Sequence, residues 1–301
     1  MPSDLSSFIS RIALFADFPP RVVTRLGGLT NLNYLLEHES NRYVLRVPGE
    51  GTCEYIDRVA ESFAARSAAA AGVNADVIFF DVTDGLMLTE YVNDAATMSA
   101  ARFVDLDACA RAGRAFHRLH HSAERFATDF GLFAMIDEYK ALLSSKGAML
   151  PDGYEDVQRH ADGVRAVLET HQVLMVPSHC DPLCENFLDT GAQMYIIDYE
   201  YAGNNDPMWD LGDLSVEGGF GPEQDRALLH AYFEREPPSD QVGRMVVHKA
   251  MCDLLWTLWG VIQHVNGNDA EDFWAYSVTR FRRCQELMAT AEFADHVAAI
   301  R

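Results

Sequence analysis

Nowhere in the 301 residues does an apolar run approach the roughly 20 positions a membrane-spanning helix requires. The N-terminus, MPSDLSSFISRIALFADF, carries acids early and has no basic region ahead of an apolar stretch. It reads as a short amphipathic helix and not as a secretion signal. Basic residues are scarce: 24 Lys+Arg stand against 45 Asp+Glu, a formal charge of −21. Such a surface repels phosphate backbones and anionic membranes, which argues against nucleic-acid and membrane partners and favours a cationic small molecule. The six cysteines (Cys53, Cys109, Cys180, Cys184, Cys252, Cys284) offer one CxxxC pair and no second Cys/His pair at ligand spacing, so no zinc site is expected. They read as free thiols of a cytoplasmic protein. Internal repeats and low-complexity linkers are also missing, which excludes a repeat array.

What is present suits a globular chain. Apolar residues make up 49%, with 17 Phe, 11 Tyr and 4 Trp to bury, enough for one large domain or two lobes. Strand-like runs RVVTRLGG, NLNYLLEHES and RYVLRVPGE are separated by turn residues, and Ile56–Ala71 follows with helical spacing. VNADVIFFDVTDGLMLTEYV returns to strand character around a turn at Asp84-Gly85. After Val92 the texture becomes helical, at Ala101–His121, Tyr154–His171, Gln224–Glu234, Gly243–Val265 and Asp269–Thr290, broken by two strand-like pieces near 186–198. The expected class is α+β: a small antiparallel-sheet lobe over residues 1–92 and a larger, mainly helical lobe over 93–301.

The densest chemistry lies in that break. His179, Asp181 and Asn186 have the H-x-D-x4-N spacing of the catalytic loop of phosphoryl-transfer kinases. A hairpin turning near Gly191–Ala192 would set Asn186 beside Asp198, and an amide oxygen with a carboxylate suits Mg²⁺, which keeps water and phosphate among its ligands. Asp181 is then placed to orient a hydroxyl or take its proton. Either aspartate alone would be an ordinary turn or strand-end residue; the three together at this spacing are not.

The block HCDPLCENFL…YIIDYEYAGNNDPMWDLGDL resembles the choline/ethanolamine kinase branch of the kinase-like phosphotransferases, which also includes the aminoglycoside phosphotransferases. The likeness runs from about Leu26 to Tyr276. It implies a two-lobed protein-kinase-like fold, ATP with Mg²⁺, and an amino-alcohol acceptor, with Asp181 as base and Asn186 and Asp198 as metal ligands. Gly27-Gly28-Leu29-Thr30-Asn31 is similar to the family's nucleotide-covering turn, where Thr30 and Asn31 would offer donors to phosphate. Arg46 stands where protein kinases carry their phosphate-binding lysine, and Glu61 matches the glutamate that pairs with it. The local alternative is an Arg58–Glu61 pair one helical turn apart. Backbone groups of Glu90 and Val92 would hold adenine by position in the hinge.

On the acceptor side, Trp256 and Trp259 sit three apart on one helix with Asp253 a turn earlier. Two indole faces can enclose an ammonium, although such a pair is also ordinary core packing. Glu217 and Tyr276 match further positions of the family's choline pocket, with Trp274 as the neighbour in an alternative register. Asp210 reads as a cap that steadies the catalytic loop, and His117, His120 and His121 as packing and surface residues. The implied reaction is phosphorylation of choline or a related amino alcohol. The alternatives are a larger cationic acceptor, such as an aminoglycoside or thiamine, and a non-catalytic nucleotide-binding protein. The oligomeric state is not legible.

Overall fold

The structure, a computed structural model, describes residues 5–27, 31–49 and 56–300. A short helix α1 (Leu5–Ile9) precedes β1 (Arg21–Arg25), β2 (Leu32–His38) and β3 (Asn41–Val47). Helix α2 (Arg58–Ala70) follows, opened by Asp57, whose carboxylate accepts from Val59 N and Ala60 N. Then come β4 (Val77–Asp81) and β5 (Leu86–Glu90). These five strands form one antiparallel sheet in the order β1-β2-β3-β5-β4, with Arg46 opposite Met87 in register. Leu36, Leu45, Leu86 and Leu88 fill one face of it against Leu5, Ile9, Ile12 and Phe15.

The remainder is mainly helical: β6 (Ala96–Thr97), α3 (Leu106–Ser122), α4 (Leu132–Ser145), α5 (Tyr154–Thr170) and β7 (Val176–Ser178). Then follow β8 (Phe187–Asp189), β9 (Met194–Ile196), β10 (Gly203–Asn205), α6 (Pro207–Glu217), α7 (Pro222–Phe233), α8 (Ser239–Val265), α9 (Phe273–Met288) and α10 (Ala291–Ala299). The α+β reading holds. Ala64, Ala65 and Ala68 of α2 pack with Phe103, Phe116 and Phe187, so this helix joins the core beneath the hairpin rather than the sheet's own.

Three helices are not legible as such in the sequence. Helix α4 starts at Gly131 without a side-chain cap, and α10 is a nine-residue piece after α9. Helix α6 buries every residue from Met208 to Val216, including Asp210 and Asp213, so no polar face marks its period. Contrary to the expectation that no stretch approaches a membrane span, helix α8 is long and apolar enough to cross one, but 83% of its most apolar window is buried inside the protein. It is the core helix of this half, its apolar run interrupted by Arg244, His248, Lys249 and Asp253. Gly212 lets α6 approach α8 closely, since a Cβ there would lie 2.8 Å from the Met245 carbonyl oxygen.

Candidate active site

The catalytic-loop motif leaves β7 and ends at the β8–β9 hairpin. Phe187 faces Ile196 in register, and the Ile197 amide donates to the Asn186 carbonyl at 2.9 Å. Asp198 therefore lies one residue beyond the position directly across from Asn186, a diagonal neighbour and not the symmetric partner that the spacing suggested. Two corners carry non-glycine residues in the left-handed region, Cys180 at φ 69° and Asp198 at φ 71°. Such backbone costs about 1–3 kcal/mol each and persists where its surroundings hold it.

Asp210 does the holding. Its two oxygens accept from His179 N and Cys180 N, both at 2.8 Å, while the Trp209 indole donates to the Cys180 carbonyl at 3.1 Å. It is not the cap of α6; Asp206 is, accepting from Met208 N. His120 is also more than packing: buried, it meets Asp210 Oδ2 at 3.0 Å and the Tyr232 hydroxyl at 3.0 Å, bracing the clamp. Burial lowers the His179 pKa, so the ring is neutral, with Nε2–H donating to the Ile197 carbonyl at 2.8 Å. One imidazole thus ties the loop to the end of the hairpin.

Beside the hairpin lies a buried ionic cluster. Glu61 takes both Arg46 and Arg58, the latter at 2.6 Å, so the two pairings that the sequence set as alternatives coexist. Arg46 also reaches Asp198 at 2.9 Å and Glu200 at 3.4 Å, and Arg58 reaches Glu200 at 3.1 Å. Two guanidiniums against three carboxylates leave a surplus negative charge, with the Asp198 side chain still 35% exposed. Burial first, and the Glu200 charge second, push Asp198 up to about 7 against the pull of Arg46. Asn186 directs Nδ2 to the Asp181 carbonyl at 3.1 Å, leaving Oδ1 for a cation. A carboxylate whose pKa burial and neighbouring charge raise, beside an amide oxygen with no hydrogen bond among the described residues, fits a hard divalent ion.

Asn31 and the Glu90 amide, both expected at the nucleotide, are engaged within the protein. The Asn31 amide donates to Glu200 at 2.8 Å and its oxygen accepts from Gly49 N, so it braces the cluster and is not a free phosphate donor. Thr30 lies outside the described residues. The Glu90 amide is taken by the Asp76 carbonyl at 2.9 Å, while Val92 N–H carries no hydrogen bond among the described residues.

Across Asp181 lies the expected acceptor side. Burial first, then the Glu217 and Asp198 charges, push Asp181 up to about 8. Glu217 is not free: Arg280 binds it, reaches Asp253 at 3.2 Å, and lies 4.7 Å above the Tyr276 ring. Asp253, expected to add charge to a pocket, is buried and held by Arg280 and Arg283. Trp256 is 5% exposed and meets Tyr201 edge to face at 5.8 Å. Trp259 is half-buried, 6.2 Å from Trp256 and 5.9 Å from Tyr276. The Trp pair is therefore core at one member and boundary at the other. Trp274 packs on His264. Sequence reasoning missed Asp213 and Arg280, although Asp210, Asp213 and Glu217 at i, i+3 and i+7 already line one face of a helix.

A small antiparallel sheet, a helical half, and a strained acidic loop between them define a kinase-like phosphotransferase. The phosphotransferase enzyme family matches residues 22–241, and the chain belongs to it. A choline/ethanolamine kinase family protein from Mesorhizobium loti is similar over 100% of this chain and 99% of that one, at 49% identity and a TM-score of 0.91. Choline kinase LicA from Streptococcus pneumoniae is 26% identical, covers 95% and 99%, and has a TM-score of 0.79. A LicA solved in complex with AMP is 27% identical, covers 94% and 97%, and has a TM-score of 0.74. The protein is a small-molecule kinase, a phosphotransferase with an alcohol as acceptor.

Proposed function

We propose that the protein transfers the terminal phosphoryl group of ATP, with Mg²⁺, to the hydroxyl of choline or a related amino alcohol. The observation that carries this is the catalytic loop itself: Asp210 clamps His179 N and Cys180 N, Asn186 Nδ2 bonds the Asp181 carbonyl, and Asp198 follows at the end of the hairpin. Asn186 and Asp198 would hold the metal, which neutralises phosphate charge when bound. Val92 N–H is the free donor for adenine, and Arg46, fixed by Glu61, brings positive charge to the phosphate side. Asp181 orients the acceptor hydroxyl. The hydroxyl oxygen bonds to the γ-phosphorus as the bond to the bridging oxygen of ADP breaks, and the proton passes to the Asp181 carboxylate. Trp259, Tyr276 and Glu217 would border the ammonium group, with Trp256 supporting Trp259 from the core.

A second reading has its own support. A cavity of about 360 Å³ is lined by Asp57 and Glu138 beside the Arg-paired Glu61, Asp129 and Glu200, together with Tyr201, and would give room to a larger polycation such as an aminoglycoside, with thiamine a related candidate. ADP release from Mg·ATP against choline, ethanolamine, thiamine and kanamycin separates the readings. Stimulation by the amino alcohols and loss in excess EDTA are expected. Stimulation by kanamycin alone would select the larger acceptor, and full activity in EDTA would remove the metal site.

A further inference from the structure

Four carboxylates meet where α6, α8 and α9 converge on Asp181: Asp181 itself, Asp213, Glu217 and Asp253. Two guanidiniums answer them. Arg280 binds Glu217 and Asp253, and Arg283 binds Asp253. Pairing thus consumes Glu217 and Asp253 and leaves Asp181, whose role is the hydroxyl, and Asp213. Asp213 is 1% exposed. Its Oδ1 receives the Cys252 thiol at 3.0 Å, and its Oδ2, fully buried, has no hydrogen-bond partner among the described residues. An orphaned buried carboxylate oxygen is among the costlier features a fold can keep, because neither water nor protein compensates it.

The position of that oxygen indicates what completes it. Carboxylate oxygens of Asp213 and Glu217 and the Cys252 sulfur lie within 4.8 Å of one another. Cys252 shares a face of α8 with Trp256 and Trp259 at i, i+4 and i+7, so Asp213, bonded to Cys252, lies on the tryptophan-bearing side of that helix. A divalent metal fits poorly, since Glu217 already carries the Arg280 guanidinium and the thiol is held protonated by burial. Burial and the Glu217 and Asp181 charges raise the Asp213 pKa as well, so a cation that donates a hydrogen to Oδ2 both supplies the missing bond and favours the ionised carboxylate. A quaternary ammonium has the charge but no N–H.

Resting on the amino-alcohol reading above, we propose that Asp213 is an acceptor-binding residue whose Oδ2 accepts an N–H from the substrate. The acceptor is then a protonated primary, secondary or tertiary amino alcohol in preference to a quaternary one. A charge-assisted hydrogen bond in a buried site corresponds to roughly 10- to 100-fold in affinity.

The test is calorimetric titration of the full chain with ethanolamine, N,N-dimethylethanolamine and choline, with turnover of the same three compounds measured alongside. The wild type is expected to bind the first two at least about tenfold more tightly than choline. Asp213→Asn should lose about 10- to 100-fold for those two, change little for choline, and leave the KM for ATP in place. Choline binding as tightly as the N–H amines, or Asp213→Asn weakening all three alike, would overturn the proposal. The wild-type series decides the matter even if the variant folds poorly. Stoichiometric Mn²⁺ binding that survives Asp198→Ala but not Asp213→Asn would assign the cluster to a metal instead. Discrimination in binding without phosphorylation of any of the three would overturn the kinase reading of the acceptor and leave the role of Asp213 standing.

Discussion

Replacing Asp181 by Asn should make the protein more stable and nearly inactive at once, and the structure sets the size of the first effect. Burial and the Glu217 and Asp198 charges raise this carboxyl from its ordinary 3.8 to about 8. A group raised in this way stabilises the folded state fully below about 3.8 and loses that contribution as pH rises through about 8. At about 1.4 kcal/mol for each tenfold change in proton affinity, the displacement sets a ceiling near ~6 kcal/mol above pH 8. Water entering the cleft cuts this to roughly half or less, about 2–3 kcal/mol. Asn keeps the shape and never ionises. Asp181→Asn should therefore raise Tm at pH 8 by about 3–5 °C for a chain of this size, and by only about 1 °C at pH 5. Turnover should fall by about 10²- to 10⁴-fold, the usual scale for losing a general base. Differential scanning calorimetry from pH 5 to pH 8, with a coupled ADP assay on the same samples, measures both. A variant with lower Tm than wild type at pH 8, a difference that ignores pH, or near-normal turnover would refute the reasoning.

Glu61→Gln removes one of the two carboxylates that the buried Arg46 and Arg58 share, and should cost about 3–5 kcal/mol in chemical denaturation; a loss under about 1 kcal/mol would show that Glu200 compensates. Asp210→Asn leaves one acceptor oxygen for two backbone amides, so the catalytic loop should loosen: kcat is expected to drop with both KM values nearly unchanged, and a selective rise in either KM would contradict a positioning role. Trp259→Ala should raise the acceptor KM by roughly 2- to 30-fold while sparing ATP. Trp256→Ala should instead destabilise by about 3–5 kcal/mol and impair both substrates, since it is the buried member of the pair; equal behaviour of the two variants would return both tryptophans to the core.

Much of this site was written in short stretches of chain. The H-x-D-x4-N spacing, the hairpin that follows it and the five strands of the small sheet depend on turn chemistry and alternation within about twenty residues, and these were legible because neighbours in sequence decide them. Even there, a one-residue register step moved Asp198 to the diagonal of Asn186. The electrostatics belong to the tertiary structure. Arg46 meets Glu200 across 154 positions, Asp210 reaches back to His179, and Asn31 is drawn from a phosphate-binding turn into the cluster, all because two halves of the chain close on each other. Helix α6 shows the limit most clearly. Met208 to Val216 are all buried, Asp210 and Asp213 among them, so the polar period that reveals a helix in sequence is missing, and only the packing of α8 and α9 determines which carboxylates find a guanidinium, Asp213 having none among the described residues. A sequence states which charges a chain carries; burial and pairing, set by which faces meet, decide which of them remain available for a ligand.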